Sequence, residues 1–479
     1  MNKIVLICSL GATMFCASNC AKNPVTGKSQ VVLMSEAQEI QMGKEADPQI
    51  IQQFGLYEDQ GLQNYINEKG HEIVKVSHRP NIEYTYRIIN SDAVNAFATP
   101  GGYVYFTRAI MAYFNNEAEF AGVLGHETGH IAARHTVAQQ RNQILSQIGV
   151  IAGMVLVPGL AQFGEAASQG LGLLMLKYGR DAEREADKLG VEYSEKIGYD
   201  ARNMANFFKE LERQTQLSGQ EELPTFLSTH PDPGDRYTAV MKEAADWKQK
   251  LNATNLKTNR NEYLRRIDGL IYGEDPKEGY MENGIFYHPP LKLQFNSPSN
   301  WAYQNSPTQV QFAAKDGKAL LIFKQAQGTN LQEAANAFVS QYKIQVTRSG
   351  QTNVNGLNAL TLEGDIPQQQ GTLRTLSFFI EYNGAIYQFI GVSTSTDFNN
   401  YVNVMANSMQ SFRPLTDAAH LNKKPDRIRM KTVAQTTTLE AALRSYGTPQ
   451  ARIQELSVLN GMNPTDQVAA GTMIKTIGQ

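Results

Sequence analysis

Residues 116–130 read NEAEFAGVLGHETGH, and this stretch decides how the first half of the chain folds. Asn116, followed three residues later by Glu119, is typical of a helix start in which side chains bond the free backbone N–H groups. Apolar residues then recur at helical spacing on one side: Phe120, Val123, Leu124 and Ile131. The pattern predicts a helix that carries His126 and His130 one turn apart.

The two histidines have the spacing of a metal site. His126 and His130 emerge on the same helical face, where both rings can reach one ion. Glu127 is rotated by about 100° from His126, so it is poorly placed as a third ligand but can act as the base for a metal-bound water. The alternative is a surface helix with two solvated histidines.

A second predicted helix carries carboxylates at a matching spacing. In residues 180–187, RDAEREAD, Glu183 and Asp187 lie one turn apart. A carboxylate from a separate helix would complete a site with two histidines, since catalytic zinc uses three protein ligands and leaves the fourth position open. Asp187 could accept the second ring N–H of a ligating histidine. Without the histidine pair, the same spacing is typical of a solvated, salt-bridged helix face.

The first twenty residues have the pattern of an export signal. Lys3 precedes an apolar run, and residues 1–19 are predicted to be a signal peptide. All three cysteines lie in this stretch, and residues 17–20, ASNC, look like a bacterial lipobox, which predicts lipidation of Cys20. Cleavage without lipidation remains the alternative. We therefore expect an exported protein, a periplasmic or outer-membrane lipoprotein held to the membrane by its N-terminal lipid.

Length and composition predict several globular units and argue against one class of partner. A chain of 479 residues exceeds the roughly 250 to 300 residues that a single hydrophobic core supports. Apolar residues make up 42% and charged residues 19%, which is enough apolar material for packed cores. The formal charge is -2 and Lys and Arg form no dense run, so we expect no binding to nucleic acid.

The sequence patterns change along the chain and predict an α+β protein. Helical spacing dominates as far as residue 247, interrupted near residues 95–108 by a predicted strand, glycine turn and second strand. Further on, strand-like runs occur at 319–324, 359–363, 376–382 and 386–392, with one helical stretch at 331–342. The predicted units are a domain at 20–255, a connector at 256–290, an α+β domain at 291–418 and a module at 428–479. The last has the size of a small independent module.

Five motifs occur in the order typical of one known family. They are Asn23-Pro-Val-Thr-Gly-Lys28, Asn95-Ala96-Phe97 with Pro100-Gly101-Gly102, the histidine motif, Arg180-x-x-Glu183-x-x-Ala186-Asp187, and His230-Pro231 followed by Arg236. Together they resemble the zinc peptidases of metallopeptidase family forty-eight, which include the CAAX prenyl protease and BepA-like periplasmic proteases. The resemblance extends from Asn23 to about Tyr237 and implies a mainly helical, gluzincin-type fold with a small edge-strand hairpin.

The resemblance also implies a role for each residue of the site. The residues expected to hold one Zn²⁺ ion per chain are His126, His130 and Glu183, with Glu127 as the catalytic base. The residues expected on the edge strand along which a peptide lies are Asn95, Ala96 and Phe97. The residues expected to surround the ligands without binding the metal are Arg180, Asp187 and Arg236.

His230 is a further candidate for both metal binding and catalysis. It lies in a loop rich in turn residues, 229–235, and its ring could occupy the fourth position of the zinc in place of water. The resemblance implies that His230 is a switch that closes the resting site and leaves when substrate enters. Two alternatives stay open: His230 hydrogen-bonds within its loop, or it assists the transition state without touching the metal.

His135 is not expected to be a ligand. Another zinc-peptidase pattern needs a glycine and a third histidine further along the same helix, but Ala133 and Thr136 occupy those positions. His135 is one residue out of register. We therefore interpret it as an ordinary exposed or helix-capping histidine.

The predicted function combines these units. The chain is expected to be a zinc-dependent endopeptidase that cleaves unfolded or misassembled envelope proteins, with Glu127 activating a zinc-bound water. The C-terminal residues, including Leu459-Asn460-Gly461, look like a LysM-type glycan-binding module, which adds peptidoglycan as a candidate partner. The alternative is an envelope chaperone or glycan-binding scaffold with little proteolysis.

Overall fold

The structure, a computed structural model, describes residues 20–479 except 28, 32–33, 136, 138–149, 152–153, 156–159, 161–177, 219–224, 232–234 and 369–370. The predicted signal peptide, residues 1–19, lies outside the described residues. Three units follow one another: a mainly helical N-terminal unit (20–266), a sheet unit (280–414) and a C-terminal unit (427–478). Helices and several sheets together confirm the predicted α+β class. No helix within the described ranges is long and apolar enough to cross a membrane.

Helices make up most of the N-terminal unit. They are α1 (Glu36–Phe54), α2 (Gln60–Val76), α3 (Arg108–Tyr113), α4 (Glu117–Ala132), α5 (Arg180–Lys196), α6 (Arg202–Ser218), α7 (Thr225–Thr229), α8 (Arg236–Lys250) and α9 (Arg260–Arg266). The strands are β1 (Cys20–Lys22), β2 (Ser29–Val31), β3 (Thr85–Ile89), β4 (Ala96–Thr99), β5 (Tyr103–Thr107), β6 (Val150–Ile151) and β7 (Met154–Val155). One sheet has the order β3-β5-β4, with β3 parallel and β4 antiparallel to β5. The hairpin predicted near residues 95–108 is therefore confirmed.

Two glycines form the turn of this hairpin. Gly101 and Gly102 have φ angles of +81° and +101°, which residues with a Cβ rarely adopt. A Cβ on Gly102 would lie 2.1 Å from the carbonyl oxygen of Glu83, so the turn packs directly against neighbouring backbone. The hairpin leaves β4 at the edge of the sheet.

Helix α4 runs through the N-terminal unit, and all 16 of its residues are buried. It starts as predicted, because the side-chain oxygen of Asn116 accepts the backbone N–H of Glu119 at 2.9 Å. Glycines bring α5 into backbone contact with α4. A Cβ on Gly125 would lie 3.0 Å from the carbonyl oxygen of Gly190, and a Cβ on Gly190 would lie 2.9 Å from that of Gly122. This close packing places the carboxylates of α5 beside the histidines of α4.

The sheet unit contains one large antiparallel sheet. Its strands are β8 (Tyr280–Glu282), β9 (Ile285–His288), β10 (Leu293–Asn296), β11 (Ala302–Ser306), β12 (Gln309–Ala313), β13 (Ala319–Gln325), β14 (Gln345–Val354), β15 (Leu357–Pro367), β16 (Thr372–Tyr382), β17 (Ala385–Thr394) and β18 (Arg413–Pro414), and its helices are α10 (Leu331–Tyr342) and α11 (Phe398–Gln410). The large sheet has the order β11-β12-β13-β17-β16-β15-β14. The four predicted strands and the helix at 331–342 are confirmed. Side chains alternate across the sheet: Phe379 packs with Phe338 of α10, whereas Phe378 belongs to the core beneath α11.

A second sheet joins part of the predicted connector to this unit. Its order is β18-β10-β9-β8, and Phe286 of β9 pairs with Phe295 of β10. The two rings lie 5.1 Å apart in the core of the sheet unit. Residues 280–288 therefore belong to the sheet unit rather than to a connector, because their aromatic side chains are needed to close its core.

The C-terminal unit is docked on the N-terminal unit. After α12 (Ala418–Leu421) its elements are β19 (Arg427–Thr432), β20 (Thr437–Thr438), α13 (Leu439–Ser445), α14 (Ile453–Leu459), β21 (Gln467–Val468) and β22 (Met473–Gly478). Buried Ile428 and Leu443 belong to the same hydrophobic core as Leu124 of α4. The buried ammonium of Lys475 donates to the carbonyl groups of Ala112, Phe114 and Leu459 at 2.7, 2.8 and 2.8 Å. The unit therefore does not have the separate core expected of an independent module.

Candidate metal centre

Three helical segments bring four side chains together. His126 and His130 come from α4, Glu183 from the first turn of α5, and His230 directly follows α7. All four side chains are buried, and each offers a ligand atom that lies within 4.8 Å of the other three. Among the described residues this is the one cluster of three or more potential ligands from His, Cys, Asp and Glu. Its members are the four residues that the sequence analysis assigns to zinc.

The spacing of the ligand atoms fits a tetrahedral zinc site. The Nε2 atom of His126 lies 3.0 Å from Nε2 of His130 and 3.2 Å from Nδ1 of His230. Glu183 Oε1 lies 3.1 Å from Nδ1 of His230 and 3.4 Å from Nε2 of His130. Ligands about 2.0–2.1 Å from a zinc ion at tetrahedral angles are about 3.3–3.4 Å apart. The four distances, 3.0, 3.1, 3.2 and 3.4 Å, reach this value or fall slightly short of it.

The protons on the imidazole rings point away from the cluster. Nδ1 of His126 lies 3.0 Å from Oδ1 of Asp187, an atom that can only accept, so Nδ1 carries the proton and Nε2 carries a lone pair. In the same way, Nε2 of His230 donates to the carbonyl oxygen of Ala96 at 3.3 Å and leaves a lone pair on Nδ1. Two lone pairs and the carboxylate of Glu183 thus converge on one buried point. Such a set of acceptors fits a cation, and its nitrogen and oxygen donors suit zinc.

Arg236 bonds the residues around the cluster and holds them in place. Its guanidinium donates to both oxygens of Asp187 at 2.8 and 2.6 Å, and it lies 3.4 Å from Glu183 Oε2. A fourth contact, at 3.3 Å, reaches the carbonyl oxygen of His230. Burial favours the neutral form of Glu183, but the neighbouring imidazole rings of His230, His130 and His126 favour its ionised form more strongly and hold its pKa well below the usual range. Arg236 therefore ties two carboxylates and the His230 backbone into one network.

Arg180 does not lie where the sequence pattern favours it. It is exposed at the start of α5, and no contact with the ligands is described for it. Arg236 of α8, which was expected around the ligands as well, does lie beside Glu183 and Asp187. Of these two arginines, Arg236 is therefore the one that the described contacts place at the site.

Glu127 is the carboxylate of the site that lacks a hydrogen bond within the described part of the chain. Its side chain is fully buried, and neither carboxylate oxygen has a hydrogen-bond partner among the described residues. The nearest ionisable contact is His230, whose Nε2 lies 3.5 Å from Glu127 Oε1. Burial raises the pKa of Glu127. A buried carboxylate left without donors is costly for folding, and such groups occur at sites that receive a ligand or water.

The edge strand β4 passes directly in front of the cluster. The outward-facing carbonyl oxygens of β4, and that of Val94 just before it, belong to alternate residues, and three groups of the chain donate hydrogen bonds to them. Phe226 N–H donates to Val94, His230 Nε2 to Ala96 and Tyr178 Oη to Ala98, at 2.9, 3.3 and 3.4 Å. Asn95 accepts from Thr229 Oγ1 at 3.2 Å, whereas Phe97 turns to the other face and stacks on Tyr105. The outer edge of β4 is therefore covered by two parts of the chain, the segment that ends in His230 and the side chain of Tyr178.

His135 lies inside the site, contrary to the interpretation as an exposed or capping residue. Its side chain is buried, and its Nδ1 lies 3.0 Å from Nδ1 of His130. Its Nε2 lies 3.0 Å from Glu185 Oε2. The sequence signal that could have found it is its position five residues after His130, just beyond the end of α4.

Known proteins share this part of the chain. Residues 61–244 match the protein family described as Peptidase family M48. The chain is 33% identical over 305 residues to the Beta-barrel assembly-enhancing protease of Escherichia coli O157:H7. The aligned region covers 62% of this chain and 58% of that protein. It is 28% identical over 190 residues to the Mitochondrial metalloendopeptidase OMA1 of Arabidopsis thaliana, which covers 40% of this chain and 37% of that protein.

The similarity leaves part of each protein unmatched. The chain spans less than two thirds of the length of these relatives. A solved structure, the cyanobacterial PsbP (CyanoP) from Synechocystis sp. PCC 6803, is 12% identical with a TM-score of 0.23, over 28% of this chain and 91% of its own. The cluster of three histidines and one carboxylate lies within the segment that matches the family. The segment that matches Peptidase family M48, residues 61–244, accordingly contains all four residues of the cluster.

Proposed function

We propose that this protein is a zinc-dependent endopeptidase in which His126, His130 and Glu183 hold the metal. The proposal rests on one observation, the convergence of imidazole lone pairs and a carboxylate on a buried point beside the unpaired Glu127. When bound there, zinc supplies a Lewis acid that polarises a peptide carbonyl group and lowers the pKa of a water molecule.

Glu127 is placed to move the proton in this reaction. Its carboxylate accepts a proton from the attacking water and returns it to the nitrogen of the leaving amine. Burial raises the pKa of Glu127, which brings the strength of this base closer to neutral pH. Asp187 and Arg236 move no proton; they hold His126 and Glu183 in position.

The substrate binds as an added strand along β4. The carbonyl groups of Val94, Ala96 and Ala98 face outward at the edge of the β3-β5-β4 sheet, where they accept hydrogen bonds from other parts of the chain. An extended peptide would replace these donors with its own backbone N–H groups. Recognition through backbone groups gives little dependence on sequence, which suits a protease for unfolded chains.

His230 closes the centre at rest. Its Nδ1 lies beside Glu183 and His126, in the position of a fourth ligand, while its Nε2 donates to the carbonyl of Ala96. One ring thus occupies both the metal position that water needs and an edge position that substrate needs. A peptide that pairs with Ala96 removes the ring from both. This double contact supports the switch over a hydrogen bond confined to the loop.

The substrates we propose are unfolded or misassembled proteins of the cell envelope. Two observations support this: the export and lipidation pattern ending at Cys20, and the similarity to a relative named as a beta-barrel assembly-enhancing protease. The protein would act from the periplasmic side of a membrane to which its N-terminal lipid holds it. Binding of peptidoglycan by the C-terminal unit stays a prediction.

The experiment combines zinc content with cleavage. Purified full-length protein is expected to contain about one zinc per chain, to cleave unfolded β-casein, to lose cleavage with a chelator and to regain it with zinc. His126→Ala should lose both metal and cleavage. His71→Ala, which changes an exposed histidine of α2, is the matched control and should lose neither. Stoichiometric zinc without any cleavage would overturn the proposal in favour of a scaffold or chaperone.

A further inference from the structure

We propose that His135 and Glu185 form a positioning pair for the ligand His130, an inference that rests on the metal site of the proposed function. Glu185 fixes the proton of His135 on Nε2. Nδ1 of His135 then accepts the Nδ1–H of His130, which directs the Nε2 lone pair of His130 at the metal. The three side chains form a chain of carboxylate, imidazole and ligand.

Two contacts of 3.0 Å define the direction of this chain. Glu185 Oε2 can only accept when ionised, so Nε2 of His135 carries the proton in the contact between them. The neutral ring then has an acceptor at Nδ1, which lies 3.0 Å from Nδ1 of His130. Because His130 must donate from Nδ1, its proton is absent from Nε2, the atom that faces His126 and Glu183.

The two histidine ligands are therefore oriented differently. His126 donates directly to the carboxylate of Asp187, whereas His130 donates to a neutral imidazole backed by Glu185. Both carboxylates come from α5, the helix that also provides the ligand Glu183. Partners that hold the second nitrogen of a ligating histidine fix its tautomer and ring orientation. The structure thus gives each histidine ligand its own acceptor.

The backbone beside His135 is arranged to produce this contact. Arg134 has a φ of +58°, a left-handed conformation that is unfavourable for a residue with a side chain, and it turns the chain back at the end of α4. Its buried guanidinium is held by Glu39, with Nε 2.9 Å from Oε2, and Glu39 in turn accepts from Arg79. The turn returns the ring of His135 to a centroid distance of 5.1 Å from that of His130. The buried ion pairs of Glu39 thus stabilise the strained turn at Arg134, and this turn brings the ring of His135 against that of His130.

The test measures zinc affinity in two variants of His135. His135→Phe keeps a buried ring but removes the acceptor, and it should weaken zinc binding about tenfold to a hundredfold in a chelator competition. His135→Asn places an amide oxygen near the position of Nδ1 and should restore most of the affinity. Lys188→Gln, on the exposed side of α5, is the control and should bind zinc like the wild type.

A second readout separates positioning from packing. With Co²⁺ in place of zinc, His135→Phe should shift the visible absorption bands, because the ligand ring is no longer held, whereas His135→Asn should not. If His135→Phe does not fold, Glu185→Gln provides the test, since this side chain is partly exposed and its loss should still weaken zinc binding several-fold.

The results distinguish this inference from the proposed function. A wild-type protein that binds no zinc would refute the proposed function. Zinc affinity and Co²⁺ spectrum unchanged in both His135→Phe and Glu185→Gln, in a wild type that does bind zinc, would refute the positioning pair alone. A fall in thermal stability of the metal-free His135→Phe protein, with unchanged affinity, would likewise reduce His135 to a packing residue.

Discussion

The two ends of helix α4 are both buried and both carry carboxylates, but their hydrogen bonding differs. At the N-terminal end, Glu117 accepts from Tyr65, Tyr199 and Asn259 at 3.0, 2.7 and 2.5 Å. At the C-terminal end, Glu127 has no such partner among the described residues. At the N-terminal end of α4 the chain itself supplies hydrogen-bond donors to the carboxylate. Towards the C-terminal end, the oxygens of Glu127 stay available to groups from outside the chain.

The difference changes the chemistry of one residue type on one helix. Burial favours the neutral form of both glutamates, but the hydrogen bonds of Glu117 outweigh burial and lower its pKa. At Glu127 burial outweighs the opposing influence of the neighbouring His230 and His126, and its pKa is raised. A carboxylate whose oxygens accept several hydrogen bonds stabilises the fold, whereas a carboxylate without hydrogen-bond donors is free to exchange a proton. The comparison therefore predicts opposite outcomes for the same substitution at the two ends.

The largest expected effect is on cleavage by Glu127→Gln. Loss of the proton acceptor should lower kcat on the order of 10³-fold, with zinc content unchanged because every ligand remains. The free energy of unfolding should stay the same or rise, since the substitution removes a buried charge without hydrogen bonds. Cleavage assays, metal analysis and urea unfolding measure the three quantities.

Glu117→Gln is the matched substitution at the other end of α4. It should lower the free energy of unfolding by about 1–3 kcal/mol, because three donors lose an ionised acceptor. Activity per folded molecule should change little. If Glu117→Gln lost activity while Glu127→Gln remained active, the division of the helix into a structural and a chemical end would be wrong.

The next largest effect is expected at the docking contact of the C-terminal unit. Lys475→Ala leaves three buried carbonyl groups without their donor and should lower the free energy of unfolding by about 3 kcal/mol. Hydrogen exchange should increase in residues 427–478. Lys424→Ala, at an exposed position, is the control. An unchanged unfolding midpoint for Lys475→Ala would mean that hydrophobic contacts alone dock the unit.

Sequence spacing was enough for contacts within a helix or a strand. The predicted helix at 331–342 and the strands near 319–324 and 376–382 follow from period and residue type, which are local properties. The spacing of His126 and His130 follows from the helical repeat in the same way. These predictions needed no knowledge of how distant segments pack.

Contacts between distant segments leave no such local signal in the sequence. The ring of His135 reaches His130 because Arg134 adopts a left-handed conformation, which no residue type at that position indicates. Lys475 bonds carbonyl groups more than 360 residues away, at Ala112 and Phe114. Each of these contacts is determined by tertiary packing, and tertiary packing leaves no periodic pattern in the sequence.

A smaller effect is expected when the resting site is opened. His230→Ala removes the ring from both the metal position and the Ala96 carbonyl, so more molecules are competent to bind substrate. Basal cleavage of an unfolded protein, or self-cleavage, should rise several-fold. A rate that falls on every substrate, with zinc affinity little changed, would instead assign His230 to transition-state stabilisation.

The smallest effect is expected from a single hydroxyl group at the covered edge of β4. Tyr178 stacks on His130 at a centroid distance of 3.8 Å and donates to the Ala98 carbonyl at 3.4 Å. Tyr178→Phe keeps the stacking and frees the carbonyl, so a substrate strand has one hydrogen bond fewer to displace. Because one long hydrogen bond contributes about 0.5 kcal/mol, KM should fall about twofold with kcat unchanged. Tyr401→Phe, in the sheet unit, controls for the loss of a hydroxyl elsewhere. A higher KM in Tyr178→Phe would show that the hydroxyl binds substrate instead of covering the edge.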